Sequence, residues 1–254
     1  TQIQHIPGQA RLMKPFKGIL YNTRKTDGIA DLVCPPYDVI EDTEPYYAKN
    51  PFNAIRLELP RDLPGMDRYR NAKSTLDDWL SKGVLVSDPG ESIYVYEQEF
   101  TIQSATYLRK GFIGLQRLDR ERILTHEQTR KKAKADREQL IGTLKTYTSF
   151  IFGLYDDREK QVRHLLDTAP AQPLFEFTDE QSIMTRFNRI TDPDSIGAMA
   201  AILDTKRIYI ADGHHRLDVS YRLGVPYAPF YLTDMYDEGI VILPYHRLVR
   251  FNRK

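Results

Sequence analysis

The chain has 254 residues and a net charge of +1, from 36 lysines and arginines against 35 aspartates and glutamates. A chain of this length can bury a large core, and its single cysteine excludes an intramolecular disulfide framework and a cysteine-rich zinc module. The charge balance argues against a protein that coats nucleic acid or an anionic membrane. The sequence has no apolar run near about 18 residues and no signal-peptide core, so we expect a cytoplasmic globular protein.

The first part of the chain alternates helix and strand patterns. Apolar residues at helical spacing predict helices at 42–49 and 66–82. The run at 54–59 alternates with a period of two, which predicts a strand with Arg56 and Glu58 on its polar face. These two side chains then form either a functional pair or a structural ion pair.

Two β-rich runs, 92–102 and 106–118, predict a hairpin, and mixed segments follow it. The alternation predicts an α/β protein of the mixed α+β kind. The predicted helices are 127–147, 157–166, 194–204 and 214–223. The predicted strands are 149–155, 173–177, 182–188, 207–211, 229–234 and 239–243. No Gly- and Ser-rich linker divides the chain, so we treat 1–254 as one region, with a division into 1–118 and 119–254 as the alternative.

The sharpest motif is an apolar strand-like run that ends in Asp212 and Gly213, where a helix starts at once. Gly213 allows the backbone to turn or to approach a ligand closely. The free N–H groups of the helix start, together with His214, His215 and Arg216, would bind an anion such as phosphate. Asp212 would hold a divalent metal or accept a proton. The alternative is a capped strand-to-helix turn with surface histidines.

A second motif is the basic stretch at 118–137, where seven basic residues against four acidic ones give a local charge of +3. Thr125 or Thr129 would cap a helix whose N-terminus faces a phosphate. Lys132 and Arg137 are secondary candidates for phosphate contacts. A solvated basic helix face is the alternative interpretation.

A third motif is a loop with two adjacent prolines before Tyr37 and Asp38. Such a stiff loop can hold a phenol or a carboxylate still. Cys34, at the start of the same loop, lies among apolar residues and is interpreted as a buried filler rather than a nucleophile.

Several common signatures are missing from the sequence. It has no GxxxxGK[ST] phosphate loop, no GxGxxG after a strand and no HExxH zinc helix. Its six histidines show no ligand spacing, so no zinc site is predicted.

A series of segments, in order along nearly the whole chain, resembles the bacterial and archaeal family known as domain of unknown function 1015. They are KPFKGILYN (14–22), CPPYDVI (34–40), NPFNAIRLELP (50–60), YVYEQEF (94–100), RKGFIG (109–114), LTHEQT (124–129), the DR at 136–137, IFGLYDD (151–157), YIADGHHR (209–216) and MYDEGIVILPYHRLV (235–249). Members of this family usually continue beyond the last block, so we expect the chain to correspond to the front portion of the family pattern or to be an unusually short member.

The DGHHR segment also resembles the phosphate-binding signature of the ParB/sulfiredoxin-like fold. This resemblance implies a ParB/sulfiredoxin-like core with a mixed sheet and an inserted or packed β-hairpin and helical region. In that fold an archaeal enzyme phosphorylates free L-serine with a nucleotide. A bacterial member of the present family is likewise associated with ATP-dependent phosphorylation of free serine. The resemblance thus implies a kinase that converts L-serine to O-phospho-L-serine.

Phosphoryl transfer without a P-loop needs anion donors, a divalent metal and a base for the acceptor hydroxyl. We expect Asp212 to bind Mg²⁺ or to activate the hydroxyl. The phosphates of ATP would contact Gly213, His214, His215, Arg216, Arg137 and Lys132. Glu58, Asp38 and Glu127 are the candidate general bases. Arg56 would grip the serine carboxylate, and the other substrate contacts are Asn53, Tyr37, Thr125 and His126.

Two other functions stay open. One is a non-catalytic, ParB-like nucleotide-binding module associated with DNA, and the other is a phosphate-ester hydrolase that uses the same anion site. The net charge favours the kinase, because DNA binding usually shows a basic excess. We therefore expect L-serine and a nucleotide as partners, with neither nucleic acid nor a membrane, and the sequence leaves the oligomeric state open.

Overall fold

The protein is described here by a computed structural model that covers residues 11–126 and 131–242, without the side chains of 131–133. Within these residues a nine-stranded mixed sheet, a two-stranded sheet and eight α-helices are present, so the mixed α/β class is confirmed. None of the helices described is long and apolar enough to cross a membrane.

The strands and helices follow one another along the whole chain. The strands are β1 Met13–Lys14, β2 Ile19–Tyr21, β3 Leu85–Ser87, β4 Ile93–Ile102, β5 Ala105–Arg117, β6 Ile123–Leu124, β7 Ile151–Tyr155, β8 Ala171–Thr178, β9 Met184–Ile190, β10 Ile208–Asp212 and β11 Tyr227–Asp234. The helices are α1 Ile29–Leu32, α2 Glu44–Lys49, α3 Ile55–Glu58, α4 Arg68–Ser81, α5 Lys131–Leu144, α6 Gln161–Thr168, α7 Pro193–Leu203 and α8 His214–Arg222. A short 3-10 turn covers Tyr37–Val39.

The large sheet has the strand order β6-β10-β7-β11-β5-β4-β9-β8, and β1 pairs with β5. The predicted hairpin is β4 and β5, joined through Gln103 and Ser104, which both have positive φ as a tight two-residue hairpin turn requires. Because β5 also pairs with β11, the sheet takes strands from both sides of residue 118.

Strand direction decides which residues meet at each edge of the sheet. β6 runs parallel to β10, whereas β7 is antiparallel to β10, with Asp212 opposite Phe152. The ends of β6 and β10 and the start of β7 therefore share one edge. β11 is parallel to β7 and places Asp234 beside Tyr155, so these two residues lie at the opposite edge.

One face of the sheet packs against α6 and α7. The fully buried side chains there include Ile93, Phe112, Ile151, Phe230 and Met199. Burial of each such side chain contributes roughly 1.5–3 kcal/mol, and this cluster forms the main core.

A second apolar cluster joins α4 and α5. It includes Leu76 and Trp79 of α4 with Leu140 and Leu144 of α5. The side chain of Asp67 caps α4 by accepting the N–H groups of Tyr69 and Arg70. The helix predicted at 66–82 is thus confirmed, and it packs on the helix that carries Arg137.

The strand predicted at 54–59 is wrong. The segment forms the short helix α3, because the side chain of Asn53 accepts the N–H of Ile55 and starts a helical turn. Ile55, Leu57 and Glu58 are buried while Arg56 is not, so Arg56 and Glu58 do not share a polar face. The apolar residues alternate because this single helical turn, α3, is buried on two sides.

The strand predicted at 239–243 is also wrong over its described part, 239–242, and residue 243 lies outside the described residues. The carboxylate of Asp237 accepts the N–H of Gly239 at 2.9 Å, and the carbonyl of Asp237 accepts the N–H of Ile240 at 2.9 Å. These local hydrogen bonds form a turn. They use backbone N–H groups that a strand would need for pairing with its neighbour.

Candidate functional site

The site is built on the turn between β10 and α8. Gly213 has φ of +87°, and a Cβ on it would lie 3.1 Å from Cα of Ile151, so the turn requires glycine. The pairing of β10 with β7 shifts between Ile210 and Asp212, which re-aims Asp212 at the end of the strand. No described side chain caps α8, so its first N–H groups are available to an anion.

Arg216 braces this turn from inside. It is only 2% exposed, and its two terminal nitrogens donate to the carbonyl of Phe150 and to Oδ2 of Asp212, the latter at 2.8 Å. Its Nε has no hydrogen-bond partner among the described residues. Arg216 therefore fixes Asp212, and its Nε, which is shielded from solvent, packs against the Gly213 turn, so the contacts indicate a positioning role rather than the predicted phosphate grip.

The predicted histidines meet at the same edge. The ring of buried His214 lies edge-to-face against the ring of His126, with 4.7 Å between centroids. His126 and Thr125, both exposed, follow β6, and the parallel pairing of β6 with β10 brings them here. Nδ1 of His215 is buried without a hydrogen-bond partner within the described part of the chain.

The proline-rich loop brings Asp38 and Tyr37 to the turn. Loss of hydration raises the pKa of Asp38, the negative charge of Asp212 raises it further, and Arg216 opposes both. Burial also raises the pKa of Tyr37 to about 12, with a further contribution from Asp38. Two carboxylates from distant parts of the sequence thus lie near enough at the turn to repel each other.

Arg137 is buried at 3% exposure and already fully engaged. Its Nη1 donates to the carbonyl of Glu58 at 2.9 Å, and Nε and Nη2 donate to Oδ2 of Asp136 at 2.9 and 2.6 Å. The guanidinium also lies 4.3 Å from the ring centroid of Tyr37. Arg137 therefore positions the loop of Tyr37, and its nitrogens have partners other than the predicted phosphates.

The carboxylate of Glu58 connects three segments beneath the site. It accepts the N–H of Tyr37 at 3.2 Å, the hydroxyl of Ser149 at 3.1 Å and the hydroxyl of Thr148. Its side chain is 3% exposed. A general base needs an oxygen that reaches substrate, so this geometry favours Asp38 over Glu58.

Asn53 and Arg56 are turned away from the turn after β10. The amide nitrogen of Asn53 donates to the carbonyls of Asp31 and Val33, at 2.8 and 3.0 Å. The guanidinium of Arg56 donates to two backbone carbonyls, those of Asn50 and Tyr47. These contacts indicate structural roles in the N-terminal loops rather than the predicted substrate contacts.

Burial raises the pKa of Cys34 to about 12, with a smaller contribution from Glu58, which disfavours the reactive thiolate. Glu127 and the side chain of Lys132 lie outside the described residues.

The loop before β7 is the part of the site that the sequence patterns do not indicate. Thr148 and Ser149 hold Glu58, and the carbonyl of Phe150 holds Arg216. Small hydroxyl residues in a loop are common, and a backbone carbonyl carries no sequence signal. The polar pair directly before a buried strand is the one hint that the sequence offers.

Mg²⁺ is compatible with the carboxylates at the turn. In the described part of the chain no group of three or more His, Cys, Asp or Glu side chains is placed to hold a metal. Mg²⁺ in phosphoryl-transfer sites is usually held by one or two carboxylates together with substrate phosphates. Asp38 and Asp212 provide such a pair, whose mutual repulsion a cation would relieve.

Comparison with known proteins gives one family match. The model of the family described as "Protein of unknown function (DUF1015)" matches residues 13–254. No curated protein matches the chain, and no solved structure does. The family match begins at β1 and includes every residue of the candidate site.

Proposed function

The chain belongs to the DUF1015 family, and from that premise and the geometry of the site we propose that it is an ATP-dependent kinase for the hydroxyl group of free L-serine. One observation carries the proposal. The glycine turn presents the N-terminus of α8, which no described side chain caps, close to two carboxylates that repel each other, Asp38 and Asp212. Phosphate donors and a proton acceptor at one place are what phosphoryl transfer requires.

The phosphates of ATP would lie at the start of α8. Backbone N–H groups and the helix dipole stabilise negative charge there. Arg216, which is buried beneath this turn and braced by Phe150 and Asp212, would add positive charge close to the phosphates.

Asp38 would act as the general base. Its raised pKa brings it closer to the working pH than an ordinary aspartate. The serine hydroxyl gives its proton to Asp38, its oxygen bonds to the γ-phosphorus, and the bond from that phosphorus to the β,γ-bridging oxygen breaks. ADP leaves with the electron pair of that bond.

Asp212 would hold Mg²⁺, with Arg216 fixing its orientation through Oδ2. When bound, the metal supplies neutralisation of the phosphate charge. The choice of serine as the acceptor comes from the family resemblance alone.

Phosphorus NMR of the purified protein with ATP, Mg²⁺ and a panel of amino acids tests the proposal. We expect ADP and O-phospho-L-serine to appear with L-serine and no phosphoamino acid with L-alanine. Release of inorganic phosphate without serine would instead support the hydrolase, and nucleotide binding without turnover would support the binding module.

A further inference from the structure

A cavity lies at the edge of the sheet opposite the turn of Asp212, where β7 and β11 end. It has a volume of about 290 Å³ and lies between α6, β5 and the turn after β11. Its most buried lining residues are Tyr155, Leu166, Asp234 and Asp237. None of these belongs to the turn of Asp212, because β7 runs antiparallel to β10.

The walls of this cavity carry charges that already have partners. Nζ of Lys110 pairs with Glu97 and with Asp167, each at 2.7 Å. Arg163 pairs with Asp167 at 3.1 Å and with Asp237 at 3.2 Å. These ion pairs leave little unbalanced charge on the walls, so a ligand would be selected by the groups that remain.

The floor of the cavity has two polar groups with unused hydrogen-bonding capacity. Asp234 is 5% exposed, and its Oδ1 accepts the N–H groups of Asp157 and Tyr236, whereas Oδ2 has no hydrogen-bond partner among the described residues. The hydroxyl of Tyr155, a residue only 1% exposed, likewise makes no hydrogen bond within residues 11–126 and 131–242. Both atoms keep some contact with solvent, so a ligand in the cavity can reach them and complete their hydrogen bonds.

The floor favours a cationic partner. Burial raises the pKa of Asp234, and the neighbouring carboxylates of Asp157 and Asp237 raise it further. Burial and the carboxylates of Asp234, Asp157 and Asp237 raise the pKa of Tyr155, so its hydroxyl stays protonated. An ammonium group would supply the positive charge and the hydrogen-bond donors that this floor lacks.

The rim offers the opposite charge. Lys160 is exposed, lines the cavity and precedes α6 with φ of +53°. No carboxylate of the described residues pairs with its side chain. Two exposed carboxylates also line the cavity: Glu238, and Asp167, which is already paired with Lys110 and Arg163. A ligand with an ammonium group at the floor would therefore place a carboxylate near Lys160.

We propose that this cavity binds a small α-amino acid, with its ammonium group on Asp234 and Tyr155 and its carboxylate on Lys160. The volume lies near the lower end of the range for ligand pockets, which suits a ligand of a few heavy atoms. The site shares no residue with the proposed kinase site, so either of the two proposals can be refuted without the other.

Isothermal titration calorimetry with glycine tests this assignment on the full chain. We expect glycine to bind the unmodified protein, Asp234→Asn to weaken binding by at least about tenfold, and Asp194→Asn, at an exposed position in the first turn of α7, to leave it unchanged. The Asp234→Asn substitution keeps a side-chain oxygen that can accept the two backbone N–H groups, so the fold should be retained. Equal binding by the unmodified protein and Asp234→Asn, or no binding by either, would overturn the proposal.

Lys160→Ala gives a second test at an exposed position. The unmodified protein should bind glycine more tightly than methylammonium, and the variant should bind the two alike, because only glycine has a carboxylate. Equal affinities in the unmodified protein would contradict the assignment. A protein that binds glycine in this way but makes no phosphoserine would refute the kinase and leave this site in place.

Discussion

Arg216 donates to Asp212 at 2.8 Å across a turn that only Gly213 can make. The buried guanidinium thus orients an exposed carboxylate, and the same contact keeps the start of α8 open for an anion. The residues of this turn are adjacent in sequence, but their arrangement depends on Phe150 and Ile151 from the neighbouring strand and the loop before it.

Gly213→Ala should destabilise the fold through both backbone strain and packing. The positive φ alone costs about 1–2 kcal/mol, and the new Cβ would also press on Cα of Ile151. Gly224→Ala is the matched control, because Gly224 has φ of +66° with nothing within 4 Å of a Cβ. Urea unfolding should show a larger loss at Gly213, and equal losses would mean that the turn is not tightly packed.

Gly111→Ala tests the close approach of β5 and β11. A Cβ at this position would overlap the carbonyl oxygen of Leu232 and the hydroxyl of Thr233, and backbone cannot move aside cheaply. We expect a loss of roughly 1–3 kcal/mol in the free energy of unfolding. Gly90→Ala, with nothing within 4 Å, should be nearly neutral. A neutral result at Gly111 would contradict the register of these two strands.

Glu58→Gln tests the group of hydrogen bonds that the Glu58 carboxylate accepts. The substitution removes a buried negative charge beside Arg137 and one acceptor among those used by Tyr37, Thr148 and Ser149. We expect a loss of roughly 1–3 kcal/mol in the free energy of unfolding. Glu91→Gln at an exposed position serves as the control, and thermal unfolding measures both. Equal stabilities of the two variants would show that the hydrogen bonds of Glu58 do not stabilise the fold.

Asp38→Asn should separate stability from turnover. Because the folded-state pKa of Asp38 is raised, ionising it costs stability as pH rises through that pKa. The variant should thus unfold at a higher temperature than the unmodified protein at neutral pH. The difference should vanish below the ordinary aspartate pKa of about 3.9, where both states are protonated. A lower unfolding temperature at neutral pH would contradict the charge arrangement at the turn.

The sequence predicts only part of this site, because some of its features are local and others depend on contacts between distant parts of the chain. The turn at Asp212 and Gly213 follows from a strand pattern that ends in a glycine before a helix, and the structure has the helix there. The proximity of Asp38 to Asp212 depends on tertiary packing, which one sequence does not show. The choice among Asp38, Glu58 and Arg56 therefore needs the hydrogen bonds of the folded chain.

The fold shows the same division. Long periodic segments such as α4, β4 and β5 are predicted correctly, whereas β1, β2, β3 and β6 have two or three residues and carry no periodic signal. The error at 54–59 has a physical cause, since a short run buried on two sides produces the alternation of a strand. Asn53, which the sequence assigns to substrate, is the residue that starts this helix.

The most direct test of the central claim compares three proteins in one assay: the unmodified chain, Asp38→Asn and Asp194→Asn. Asp194 is exposed in the first turn of α7 and is the matched control. With ATP, Mg²⁺ and L-serine, ADP and O-phospho-L-serine should form in equal amounts. Asp38→Asn should lower kcat by about 10²–10⁴, and Asp194→Asn should leave it unchanged. Absence of O-phospho-L-serine from the unmodified chain, or full turnover by Asp38→Asn, would contradict the account.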